Sequence, residues 1–205
     1  MRFLIGLLVF LSIFFLSFKV LVFNFAIYEF EFKRVDVYKY LDKEIADNQA
    51  KSVIGFHRGK NNLDQNFFSK NEIDHLTDVK TVIRKVNFFG YSFLFSLLVL
   101  GIGLMFLRQT KEAMSGIKIG SILSISFSMI SILGALFFFN FIFEVFHKTI
   151  FKDNYKFNPT DSNLISLFPP EFFADFAAYL VLTTIGISFI ILLFIWLVGK
   201  FCLKR

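Results

Sequence analysis

Two of the three histidines in this 205-residue chain stand in the same setting. Each follows a glutamate by three positions, as Glu72-x-x-His75 and Glu144-x-x-His147, and each lies where a charged stretch meets a long apolar run. An imidazole that titrates near neutrality can both accept and deliver a proton, so two of them beside carboxylates point to proton-transfer chemistry. Asn140, Glu144 and His147 fall at i, i+4 and i+7, which lines an amide, a carboxylate and an imidazole along one helical face among phenylalanines. Polar groups facing lipid are costly, so this face is expected to turn toward an interior cavity. Asn24 and Asn87 lie at comparable depth on neighbouring apolar runs and are expected to join it. The opposing reading is that all of these groups meet headgroups and water. His57, after a Gly and a Phe in a turn-rich stretch, reads as a solvated loop histidine.

Other chemistries find less footing. A repeated Glu-x-x-His is the pattern of di-iron carboxylate bundles, which also need one Glu from each of two further helices. The only residues available for that are Glu29 or Glu31 and Glu171, all at predicted helix ends. Haem held by two histidines fits poorly, because neither histidine lies inside a span. The sequence has no glycine-rich phosphate loop, no Gly-x-Ser-x-Gly elbow and no His-Glu-x-x-His. No metal or other cofactor is expected. The single cysteine, Cys202, excludes an internal disulfide and any multi-cysteine metal site; it reads as an interfacial residue, with acylation as the alternative.

The elements that position these residues follow from hydropathy. More than half of the residues are apolar, 33 of them phenylalanine, and long uncharged runs mark transmembrane helices. Four spans are predicted, at about 3–28, 88–107, 119–141 and 176–198, as a single membrane domain over 1–205. The fold class is all-α: an integral membrane four-helix bundle with an extracytoplasmic helical cap built from loops 29–87 and 142–175. The first run shows no cleavage signal and reads as an uncleaved span, with Lys19 snorkelling. Gly120, Ser124, Ser128 and Ala135 lie close to one face of the third span and admit close helix packing.

Within the first loop, Val37, Leu41 and Ile45 recur every fourth position, the pattern of a short amphipathic helix. Gly55, Gly59 and Asn61-Asn62 mark turns, and Ser69 or Asn71 can cap the next helix, with Glu72 in its first turn. The net charge of +6 reflects Lys and Arg flanking the spans rather than a nucleic-acid-binding surface. Arg2, the 108–118 connection and the tail hold seven basic residues against one acid in short segments. That bias predicts a multi-pass protein of the cell membrane with both termini cytoplasmic and the histidines on the outer face, although Arg84 and Lys85 run against it.

Two stretches resemble a known family. One is Glu72-x-x-His75-x-x-Asp78-Val79-Lys80 before the second span. The other begins at His147 and continues through Tyr155-x-Phe157-x-Pro159-x-Asp161, Leu164-Ile165 and Pro170-Glu171-Phe172-Phe173. Together they resemble the bacterial lipoprotein intramolecular transacylases, over nearly the whole chain. Tyr155 and Asn158 depart from the family pattern, which has Trp and Asp there.

The resemblance implies an acyltransferase that moves the sn-2 acyl chain of a diacylglyceryl lipoprotein onto the α-amino group of its N-terminal Cys, giving a lyso-form. It implies His75 and His147 as the catalytic pair. Glu72, Asp78, Asn140, Glu144, Tyr155 and Asp161 are expected to orient an imidazole or hold the substrate. The partners implied are the lipoprotein and membrane lipid, with no nucleic acid. A non-enzymatic four-span accessory or transport subunit, or a di-metal carboxylate protein, are the alternatives.

Overall fold

In a computed structural model of the protein, residues 1–151 and 155–202 are described, except for the side chains of the last two. The basic residues of the tail at 204 and 205, and the side chain of Cys202, therefore lie outside the described residues. Among the described residues the chain is helical in eight elements: α1 (Arg2–Val22), α2 (Phe25–Arg34), α3 (Val37–Tyr40), α4 (Lys43–His57), α5 (Lys70–Phe106), α6 (Thr110–Phe151), α7 (Asn163–Leu167) and α8 (Pro170–Cys202). Four of them, α1, α5, α6 and α8, are long and apolar enough to cross a membrane. The chain divides into two compact units, one made of residues 1–19, 86–133 and 179–205, the other of 20–85 and 134–178.

In the first unit, Ile5, Val9, Ile13 and Leu104 form a buried apolar cluster against Leu97, Leu100, Ile117 and Ile187. Small residues let α1 and α6 approach closely: a Cβ on Gly120 would lie 2.5 Å from the Gly6 carbonyl oxygen and 2.6 Å from Val9 Cβ. Gly120, on the small-residue face read from the sequence, thus meets α1 directly. Buried hydroxyls of Ser17, Ser124 and Ser188 each donate to the carbonyl four residues earlier, so these three need no distant partner. Lys19 Nζ donates to the Tyr91 hydroxyl at 2.6 Å and sits over that ring.

In the second unit, short helices pack around Phe32, Phe68 and Leu167, all essentially without solvent exposure. Several local expectations change here. The first helix ends at Val22, not near Tyr28, because Asn24 turns the chain and its side chain caps α2 through the Ala26 N–H. Asn24 is thus a cap and not part of a polar cavity. The amphipathic stretch splits in two, since Leu41 ends α3 and Asp42 caps α4 by accepting from the Glu44 and Ile45 N–H groups. Ile45 is exposed as a result. Gly55 is inside α4; the turn comes at Gly59, whose φ of 75° closes the helix, with Lys60 N–H bonded to the Gly55 carbonyl.

His57 is the last residue of α4 and is buried, contrary to the loop reading. Burial pushes its pKa down to about 4, helped by the nearby Lys80 ammonium and opposed by a hydrogen bond with the Leu76 backbone. It is therefore neutral at physiological pH. The connection expected over 108–118 shrinks to residues 107–109, and Lys111, Glu112 and Lys118 belong to α6.

A candidate active site around His75 and His147

His75 and His147 reach one place from different helices. Ser69 and Glu72 start α5 with a reciprocal cap: the Glu72 carboxylate accepts from the Ser69 N–H at 2.7 Å, and the Glu72 N–H approaches Ser69 Oγ at 3.4 Å. His75 follows one turn later and is 8 % exposed. His147 lies near the end of α6, beyond an interruption of helical geometry at Phe138. The two imidazoles are nearly parallel, at 19°, with ring centroids 6.3 Å apart.

Aromatic rings surround the pair. Phe151 stands 4.7 Å from His75 and 5.5 Å from His147, touching both. Phe143 packs on His147 at 4.0 Å, so the rings at i−4 and i+4 on α6 flank that imidazole along the helix. Tyr155 and Phe157 cover the other side, each 5.5 Å from a histidine, Tyr155 against His147 and Phe157 against His75. His147 Nδ1 is 2.7 Å from the Phe143 carbonyl oxygen. A carbonyl only accepts, so Nδ1 carries the proton and Nε2 is left with the lone pair that could act as a base.

Glu72 neither holds an imidazole nor faces open space. It is 3 % exposed. Oε1 accepts from the Ser162 hydroxyl at 2.7 Å and the Leu164 N–H at 2.8 Å, and Oε2 from the Ser69 N–H and hydroxyl. Four donors saturate the carboxylate, which ties α5 to the start of α7, 90 residues away in sequence.

The remaining expected site residues diverge. Asn140 and Glu144 are exposed, and Glu144 pairs with Lys148 at 2.7 Å. The aligned face read from the sequence therefore holds only at His147. Glu144 lies about 60° around the helix from it, where Lys148 is the natural i+4 partner. Asp161 is exposed and accepts from the Asn158 side chain at 2.8 Å, closing the turn between them. Asp78 is exposed on α5. Tyr155 packs its ring against that of His147. With Glu72 saturated and Glu144 turned outward, the two Glu-x-x-His motifs do not gather their carboxylates around the imidazoles. Among the described residues no three His, Cys, Asp or Glu side chains come together as a metal would require.

Sequence reasoning did not anticipate Ser162 as the partner of Glu72, nor Phe143 and Phe151 as neighbours of the histidines. A signal for Ser162 was present, because Ser before Asn-Leu-Ile is a helix cap, and its Oγ accepts from the Ile165 N–H. The same unit holds a second buried carboxylate, Glu31, which accepts from Arg34 at 3.1 and 3.2 Å while Arg34 also pairs with Asp175.

The profile of the lipoprotein intramolecular transacylase (Lit) family matches residues 3–173. The chain belongs to that family. It is therefore an integral-membrane acyltransferase whose substrate is a lipoprotein. The membrane integral transacylase Lit from Bacillus cereus has a similar fold, with a TM-score of 0.84 at 27 % identity, covering 98 % of this chain and 97 % of that one. A form of the same protein with one histidine replaced by arginine superimposes with a TM-score of 0.81 at 25 % identity, over 100 % of this chain and 95 % of that one. No curated protein matches the sequence. The likeness to the transacylase covers both the span-forming helices and the unit that carries the two histidines.

Proposed function

We infer that this transacylase moves the sn-2 acyl chain of a diacylglyceryl lipoprotein to the α-amino group of the same N-terminal cysteine, with His75 and His147 handling the protons. The observation that carries the reading is the stacked pair of imidazoles, 6.3 Å apart, in a member of this family.

The reaction joins an amine to an ester carbonyl and releases a glycerol hydroxyl. The α-amino group titrates near pH 8, so its neutral form is readily reached. Nitrogen attacks the carbonyl carbon, the amine loses a proton, and the glycerol oxygen leaves with one. His147 Nε2, freed by the Nδ1–H bond to Phe143, takes the amine proton. His75, stacked beside it, supplies a proton or hydrogen bond to the oxygen on which charge develops. Amine and ester belong to one molecule, so positioning contributes about 7–11 kcal/mol and no acyl-enzyme is required. The absence of a nucleophile motif in the sequence accords with that. The density of basic residues in short segments supports a reading with this chemistry on the extracytoplasmic side and both termini in the cytoplasm.

The test is a synthetic diacylglyceryl lipopeptide with an isotopic label in the sn-2 chain only, incubated with the purified protein. Mass spectrometry should find the label as an amide on the N-terminal cysteine. Label remaining on glycerol while an unlabelled chain appears on nitrogen would overturn the assignment of the donor position.

A further inference from the structure

A base that can take a proton from an amine can take one from water, and water would turn this transfer into ester hydrolysis. The competing step is balanced without any cofactor. Water adds to the ester carbonyl, the bond from that carbon to the glycerol oxygen breaks, and the glycerol oxygen receives a proton. The products are a free fatty acid and a lyso-lipoprotein with an unmodified amine. Something in the site has to favour nitrogen over water.

The geometry points to residues 155–164 as a water-excluding strap over the imidazoles, anchored by Glu72; this rests on the proposed acyl transfer. Exposure alternates along its first residues: Tyr155 and Phe157 are partly buried, while Lys156 and Asn158 are exposed. An extended run of this kind turns alternate side chains to the same side. Both inward rings land on histidines, Tyr155 on His147 and Phe157 on His75. Phe157 also packs against the apolar core of the unit.

The far end of the strap is fixed by polar contacts that reach across the sequence. Ser162 and Leu164 donate to Glu72 Oε1, and the Asn163 side chain donates to the Phe67 carbonyl at 2.6 Å. Of three consecutive residues, two are thus held to Glu72 in the first turn of α5, just before His75, and one to Phe67 ahead of that helix. The carboxylate is fully occupied in doing so, which leaves it no part in binding the substrate amine. Glu72 is a positioning residue, and what it positions is the aromatic cover. With the cover in place His75 is 8 % exposed, and interactions inside such a site are stronger for the exclusion of water.

The experiment measures product partition. Wild-type protein and the variants Glu72→Gln, Ser162→Ala and Phe157→Ala, each purified as the full chain, are incubated with a diacylglyceryl lipopeptide. N-acyl peptide and free fatty acid are quantified together by mass spectrometry. Hydrogen exchange over residues 155–168 is followed in the same samples. Loosening the anchor should raise exchange in that segment, and the ratio of fatty acid to N-acyl peptide should rise at least tenfold. Phe157→Ala leaves the anchor intact and removes only the ring over His75, so it should shift the ratio the same way even where an anchor variant folds poorly. Adding His75→Gln to Phe157→Ala should abolish both products, because both use the same imidazole. Variants that exchange faster in the strap yet keep the wild-type ratio, or that lose N-acyl peptide with no gain of fatty acid, would overturn the inference. A wild-type protein that transfers no acyl chain to nitrogen would overturn the proposed function along with it.

Discussion

The two compact units bury polar groups by opposite means. In the unit of residues 1–19, 86–133 and 179–205, the buried hydroxyls of Ser17, Ser124 and Ser188 satisfy themselves within their own helix, as Ser124 does with the Gly120 carbonyl. Helices there are held by shape, through small residues such as Gly120 against Gly6 and Val9. In the unit of residues 20–85 and 134–178, polar groups both buried and at the surface reach far along the chain. Glu72 binds Ser162 and Leu164, Arg34 pairs with Asp175, and Asn163 binds the Phe67 carbonyl. A hydrophobic environment rewards local satisfaction, because a polar group with no partner there is costly. Long-range polar contacts fix segments that hydropathy alone would leave undetermined, and the histidines lie among them. Scaffold and site are specified by different physics.

That contrast can be broken first with acid. The pKa of buried His57 is held at about 4, against an ordinary value of 6.5. Between those values the unfolded chain binds a proton that the folded chain does not, so folding loses stability as pH falls. The contribution is complete above about pH 6.5, shrinks toward pH 4 and amounts to about 3 kcal/mol. Amide-exchange protection in residues 37–85 should fall across that window while protection in residues 90–133 holds. Replacing His57 with Leu should flatten the pH dependence; an unchanged profile would show that another group controls it.

A packing change sharpens the contrast from the other side. Gly120→Ala would force a methyl group against the Gly6 backbone, which cannot give way as a flexible side chain would. Overpacking of this kind costs about 1–3 kcal/mol. Thermal unfolding in detergent should register the loss, with acyl transfer retained below the new transition. The smallest effect is expected at Glu144. Its partner Lys148 is as exposed as it is, so Glu144→Gln should leave both stability and acyl transfer unchanged. A large drop in transfer rate would return Glu144 to the site.

Much of this was legible in the sequence, though unevenly. Four span-forming helices follow from uncharged apolar runs, which depend on nothing distant. The cap of α5 by Ser69 and Glu72 is a local pattern and was readable for the same reason. The break after Val22 was not, because Phe23, Phe25 and Ile27 keep the hydropathy high while a single Asn turns the chain. The face through Asn140, Glu144 and His147 was misread because spacing gives angular position on a helix but not which arc meets the rest of the unit. Lys148 stands at the right spacing to draw Glu144 outward. The anchoring of Ser162 by Glu72 spans 90 residues and has no periodic signature at all. Phe143 and Phe151 sat at i−4 and i+4 from His147, a readable spacing, yet among 33 phenylalanines it carried no contrast.

The central claim is that His75 and His147 act as one unit in one acyl shift, and a double-mutant comparison tests it most directly. N-acylation of a defined lipopeptide is measured for His75→Gln, His147→Gln and the double variant, each checked for membrane integration. Loss of a general acid–base group costs about 10²–10⁴-fold, and groups that act together are strongly non-additive. Each single variant should therefore fall nearly as far as the double. A wild-type rate in either single variant, or two losses that multiply independently in the double, would contradict the account.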